Sequence, residues 1–86
     1  MIIEEYNQLK GHPNETMQQF SDKFNQVYYS ILENIRPPLG SALLHYPKAF
    51  DPELEFQLRE RNCATLEQMQ KIAIDVEFNR LIRRES

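Results

Sequence analysis

Apolar residues recur at helical intervals along most of this 86-residue chain, and turn-forming residues separate the runs. The clearest run lies in residues 10–35, KGHPNETMQQFSDKFNQVYYSILENI. Met17, Phe20, Phe24, Val27, Ile31 and Ile35 follow one another at intervals of three or four, and Tyr28 and Leu32 widen the stripe. At 3.6 residues per turn that spacing collects them on one helix face. The opposite face carries Gln18, Asp22, Asn25, Gln26 and Glu33. Gly11 and Pro13 break the preceding element, and Asn14 is the expected N-cap. Glu15 puts negative charge at the positive end of the helix dipole. The pattern predicts a central helix from about residue 15 to 34, against which the other segments pack.

Four shorter helices complete the reading. Residues 1–9 hold Ile2, Tyr6 and Leu9 at helical spacing with Ile3 beside them, and Gly11 is expected to stop that helix. Pro38 suits the first position of a third helix, where its missing N–H costs nothing. Leu39, Leu43 and Tyr46 give that helix its face, with Ala42 and Leu44 alongside, and Pro47 ends or kinks it. Phe50 is expected to pack in the connection. Asp51-Pro52-Glu53 is a further start signal. The following LEFQLRER alternates as a strand would, but nothing else in the chain offers a strand partner, so helix is preferred, with Leu54 and Leu58 inward and Phe56 elsewhere. Thr65 and Gln68 form a capping box for the last helix, whose inner face is Leu66, Met69, Ile72, Ala73 and Val76 as far as Phe78. Leu81 and Ile82 lie beyond, among arginines. The prediction is one domain over residues 1–86, all-α, a compact bundle of about five short helices.

Composition narrows the function classes. A net charge of −3, from ten basic and thirteen acidic residues, argues against a domain built to grip nucleic acid. Arg80, Arg83 and Arg84 cluster at the end of the last helix, where cations complement the dipole; a weak phosphate contact is the alternative reading. There is no apolar run long enough to span a bilayer, so no membrane partner is expected. The acidic pair Glu4-Glu5 sits where a secretory leader would be basic. A single cysteine, Cys63, excludes an intrachain disulfide and fits a cytoplasmic location, with the nucleus left open.

The 10–35 stretch also resembles the major homology region of retroviral and retrotransposon capsid proteins. That pattern runs Gln-Gly, a short gap, Glu, seven residues, Arg-Phe. Gly11, Glu15 and Phe24 fill the glycine, glutamate and phenylalanine positions, with Phe20 on the same helix. Lys10 stands for the glutamine and Lys23 for the arginine, and the gap after Gly11 is one residue longer. The order of the remaining signals, from the proline-rich turn to Thr65-Leu66-Glu67-Gln68, is similar to the capsid C-terminal domain of the retrotransposon class. The resemblance implies a fold in which the polar motif residues tie a turn to the central helix. It also implies a partner that is another copy of the chain. The family's two-fold contact involves the helix after the homology-region helix, which here means Leu39, Leu43, Leu44 and Tyr46. The alternative is a domesticated capsid domain that holds a host peptide or acts as an oligomerisation adaptor.

Little chemistry is on offer. His12, His45 and Cys63 are scattered over three segments without metal-ligand spacing, so no metal or cofactor is expected. Cys63 has no neighbouring histidine to activate it, and the carboxylates read as helix-surface charge. Two distant glycines make no phosphate loop. No enzyme is predicted. Tyr29 falls off the central stripe and is a candidate exposed contact.

Overall fold

A computed structural model describes residues 2–12 and 14–85, with the side chains of 84 and 85 outside the description, as are Met1, Pro13 and Ser86. The helix-breaking role assigned to Pro13, and the side chain of Arg84, therefore lie outside the described residues. Among the described residues five α-helices follow in order: α1 (Ile2–Asn7), α2 (Met17–Ser30), α3 (Leu39–His45), α4 (Pro52–Glu60) and α5 (Leu66–Glu85). A short 3-10 helix, Tyr46–Ala49, continues α3. The fold is all-α and compact, with a radius of gyration of 13.2 Å.

The stripe on α2 builds the core. Phe20, Phe24, Tyr28 and Ile31 are buried, and Tyr6 from α1 closes over Phe24 and Tyr28 with ring centroids 5.6 and 5.7 Å away. Tyr46 meets Phe24 edge-on at 5.2 Å, and Phe50 meets Phe20 at 5.1 Å. Tilted and edge-to-face pairs at such distances add to the area these rings bury. Leu54 and Leu58 of α4 and Leu66, Met69 and Ala73 of α5 complete the buried set, while Phe56 is exposed. The alternating LEFQLRER stretch is helical because Leu54 and Leu58, four apart, face one core.

The ends of α2 differ from expectation at both termini. Its N-cap is Thr16 rather than Asn14: the Thr16 hydroxyl accepts from the Gln19 N–H at 3.1 Å, and the Gln19 side chain accepts from the Thr16 N–H at 3.0 Å. That reciprocal pair satisfies two donors at once, which a lone Asn14 cap would not. At the other end α2 stops at Ser30, four residues early. Arg36 turns back, donating from Nη2 to the carbonyls of Ile31 (2.9 Å) and Tyr29 (3.1 Å). The Tyr28 hydroxyl donates to the Pro37 carbonyl at 2.7 Å. The Arg36 bonds satisfy acceptors at the helix end, and the Tyr28 bond ties the following chain back to α2. Leu32 and Ile35 consequently leave the stripe and are exposed.

Other local signals are displaced by a residue or reassigned. Pro38 is the N-cap of α3, and Leu39 is its first helical residue. Gly11 does not terminate α1, which ends at Asn7. It anchors the turn instead: its N–H donates to the Ala49 carbonyl at 3.1 Å, and a Cβ there would make ordinary contact with the Phe50 ring at 3.4 Å. In α5 the Thr65 hydroxyl accepts from the Gln68 N–H, while the Gln68 side chain accepts from Ala64 rather than from Thr65. Phe78 is exposed rather than the end of the inner face, as are Leu81 and Ile82.

Candidate functional site

Two assemblies follow from the residues singled out above. The first is a polar tie between the 11–16 turn and α2. Glu15 accepts from Lys23 Nζ, which approaches its two oxygens at 3.2 and 3.0 Å, and from the His12 N–H at 3.4 Å. Partial burial disfavours the Glu15 charge. The bonds from Lys23 and His12 and the charge of Lys23 outweigh that, holding the carboxyl below its ordinary value. Phe20 and Phe24 are buried beneath, the Lys23 ammonium lies 5.3 Å from the Phe20 ring centroid, and Gly11 is anchored on Ala49. Lys10 is exposed. Glu15, Lys23, Gly11 and Phe20 are thus brought together at one turn, and Phe24 extends into the core.

The second assembly is the outer face of α3. Ala42 faces inward, Leu43 is half-buried, and Leu39 and Leu44 stand 43% and 59% exposed. Beside Leu43 and Leu44 a mainly apolar groove of about 380 Å³ runs between α3, α4 and α5, with Gly40, Leu58, Cys63 and Met69 in its walls and Arg59 and Asn62 also lining it. On the other side Leu39 shares a smaller depression with Tyr29, Thr65 and Leu66. Tyr29 is exposed as well, and α3 lies between the two depressions with Leu39 and Leu44 open to solvent.

Tyr46 does not belong to that surface. It is 0% exposed, and its hydroxyl shares a 2.8 Å hydrogen bond with Ser21 Oγ inside the core. Burial pushes its phenol up to about 12, against the lowering effect of the Ser21 bond. The 3-10 helix that begins at Tyr46 turns the side chain inward, so three of the four residues assigned to the contact face, Leu39, Leu43 and Leu44, reach solvent.

Further fixing residues emerge only in three dimensions. The Glu77 carboxylate of α5 accepts from the Met17 N–H at 3.1 and 3.2 Å, completing the start of α2. Asn25 and Gln70 exchange amide hydrogen bonds at 3.1 and 2.7 Å, locking α2 to α5. Sixty and forty-five residues separate these partners, beyond any local pattern. Arg36 had a legible signal, a cation directly before Pro37-Pro38 at a helix end.

His45 Nε2–H donates to the Tyr6 carbonyl at 2.8 Å and its ring lies 4.4 Å from that of Tyr6, a structural role. Cys63 is half-buried in the groove wall. Among the described residues no group of three or more His, Cys, Asp or Glu side chains is placed to hold a metal ion, and no helix is long and apolar enough to cross a membrane. Comparison with family models, curated proteins and solved structures finds no match for the chain.

Proposed function

We propose that this chain is a self-association domain of the retroelement capsid type, in which the outer face of α3 makes a reversible contact with a second copy. The observation that carries the reading is the exposure of Leu39 and Leu44 beside the apolar groove that Leu43 lines. Two leucines left in water on a seven-residue helix, next to a concave apolar wall, form a surface that gains free energy when covered. The tie of Glu15 to Lys23 and His12 supports the reading, since it joins turn to helix as the resembled motif does. A modest contact suits assembly, because many weak interfaces permit correction before a shell closes.

Leu44→Ser tests this without touching the core. In a two-fold contact each substituted leucine is lost twice, at roughly 1 kcal/mol per half-exposed side chain. The dimer should therefore weaken by about thirtyfold while helicity by circular dichroism is unchanged. A dimer constant equal to that of the parent would count against the α3 face.

The groove also favours a second reading, an adaptor module that binds an apolar host peptide. A protein that stays monomeric at millimolar concentration yet binds such a peptide, with Leu44→Ser weakening the complex and helicity unchanged, would select it.

A further inference from the structure

We infer that the cleft between α4 and α5 is a binding site for a compact phosphate anion, a diphosphate or larger. It shares no residue with the α3 face and does not depend on the self-association reading. Glu53, Gln57 and Arg61 of the α4 side face Asn79, Arg80 and Arg83 of α5 across a cavity of about 220 Å³. That is the liquid volume of roughly seven waters, enough for a diphosphate.

The cations converge from two elements, and Arg80 is poorly satisfied where it lies. Its Nη1 is 3.5 Å from Asp51 and its Nη2 is 3.7 Å from Glu53, and the buried Nη2 has no hydrogen-bond partner among the described residues. Two ion pairs elsewhere are shorter, 2.8 Å for Arg59 with Glu55 and 3.0 Å for Lys23 with Glu15. Charge-assisted bonds to guanidinium ordinarily close to about 2.7–2.9 Å, and a buried unpaired donor is costly. The Glu53 side chain is 72% exposed, so it is free to swing outward as an anion enters. Phosphate oxygens then take up the fork of Arg80, with Arg61, Arg83 and the amides of Gln57 and Asn79 around them.

The wider charge balance favours a small anion over an extended polyanion. The chain carries −3 overall, and tracking a nucleic-acid backbone needs cations spread over a long surface. Among the described residues no aromatic side chain lines the cleft, so the phosphates are recognised and a nucleoside attached to them is not.

Titrating the full chain with sodium pyrophosphate, followed by backbone amide NMR at constant ionic strength, tests the inference. The expected result is saturable shifts confined to residues 53–61 and 76–83. ADP should bind as well as pyrophosphate, and a single-stranded oligonucleotide of equal phosphate concentration less well. Arg80→Gln and, separately, Arg61→Gln should each weaken pyrophosphate at least tenfold with the fold intact by circular dichroism. Arg61 is exposed, so its replacement leaves the core alone. Absence of saturation at about 10 mM, a non-specific range by affinity arithmetic, would overturn the site. Equal binding by both variants would overturn it as well, and tighter oligonucleotide binding would overturn the compact anion as its ligand.

Discussion

Replacing Tyr46 by phenylalanine removes one oxygen from the centre of the molecule, and the consequence can be worked out from its partner. Tyr46 is 0% and Ser21 2% exposed, and their hydroxyls are 2.8 Å apart. The hydrogen bond is worth about 0.5–1.5 kcal/mol net, and the hydroxyl left behind loses its partner without regaining water, at about 1–3 kcal/mol. Tyr46→Phe and Ser21→Ala should therefore each destabilise by about 1–3 kcal/mol. The double variant should cost much less than their sum, because no orphan oxygen remains, leaving a coupling of about 1–2 kcal/mol. Urea unfolding of the four proteins measures this directly. Because Tyr46 supports α3 from beneath, the dimer constant should stay unchanged in Tyr46→Phe while stability falls. Single-variant costs that add within about 0.5 kcal/mol would refute the coupling, and a weakened dimer would return Tyr46 to the interface.

Other consequences follow from the same contacts. Tyr6, whose buried hydroxyl has no hydrogen-bond partner among the described residues, is also pushed up to about 12, by desolvation and by Tyr28. Both Tyr6 and Tyr46 titrate near 10 when unfolded, so their contribution is intact below pH 10 and is lost as pH rises towards about 12, on the order of 2 kcal/mol each. Alkaline unfolding should thus begin in that window, and Tyr6→Phe should leave stability at pH 7 unchanged or raise it. Glu15 has the opposite sign: its carboxyl is held below the ordinary 4.5, so its contribution is present above that pH and lost as pH falls through the lower folded value. Glu15→Gln should cost about 0.2–1 kcal/mol at pH 7, as for a partly exposed ion pair, and flatten the acid limb of the stability curve. Phe24→Ala, at a fully buried position, should cost about 3–5 kcal/mol and leave the domain marginal in thermal unfolding; a loss below 1 kcal/mol would contradict the core assignment.

Helix identity was legible wherever large apolar residues kept a helical interval. Phe20, Phe24, Tyr28 and Ile31 declared α2, and Asp51-Pro52 declared α4 against the strand-like alternation that follows. Helix ends were less legible because non-local groups set them: Arg36 clamps the carbonyls at the end of α2, and Glu77 arrives at its start from sixty residues away. The α3 face was legible only in part: of Leu39, Leu43 and Tyr46, only Tyr46 is fully buried, and Ala42 takes the other inward position. Leucines dominate its pattern, yet small Ala42 and Tyr46 turn inward, because Tyr46 finds Ser21 and the helix tightens to 3-10 there. The tie at Glu15 was legible as a motif, whereas the α4–α5 cleft was not, since Arg61 and Arg80 meet only after the two helices pack.

Sedimentation equilibrium of the domain, from about 5 µM to about 1 mM at low and high salt, tests self-association most directly, since those concentrations bracket weak dimer constants. A monomer–dimer equilibrium that persists at high salt is the predicted result, because the proposed contact is apolar and a charge-driven one would be screened. A monomer at every concentration would contradict self-association by this domain and leave the apolar groove as a site for a peptide.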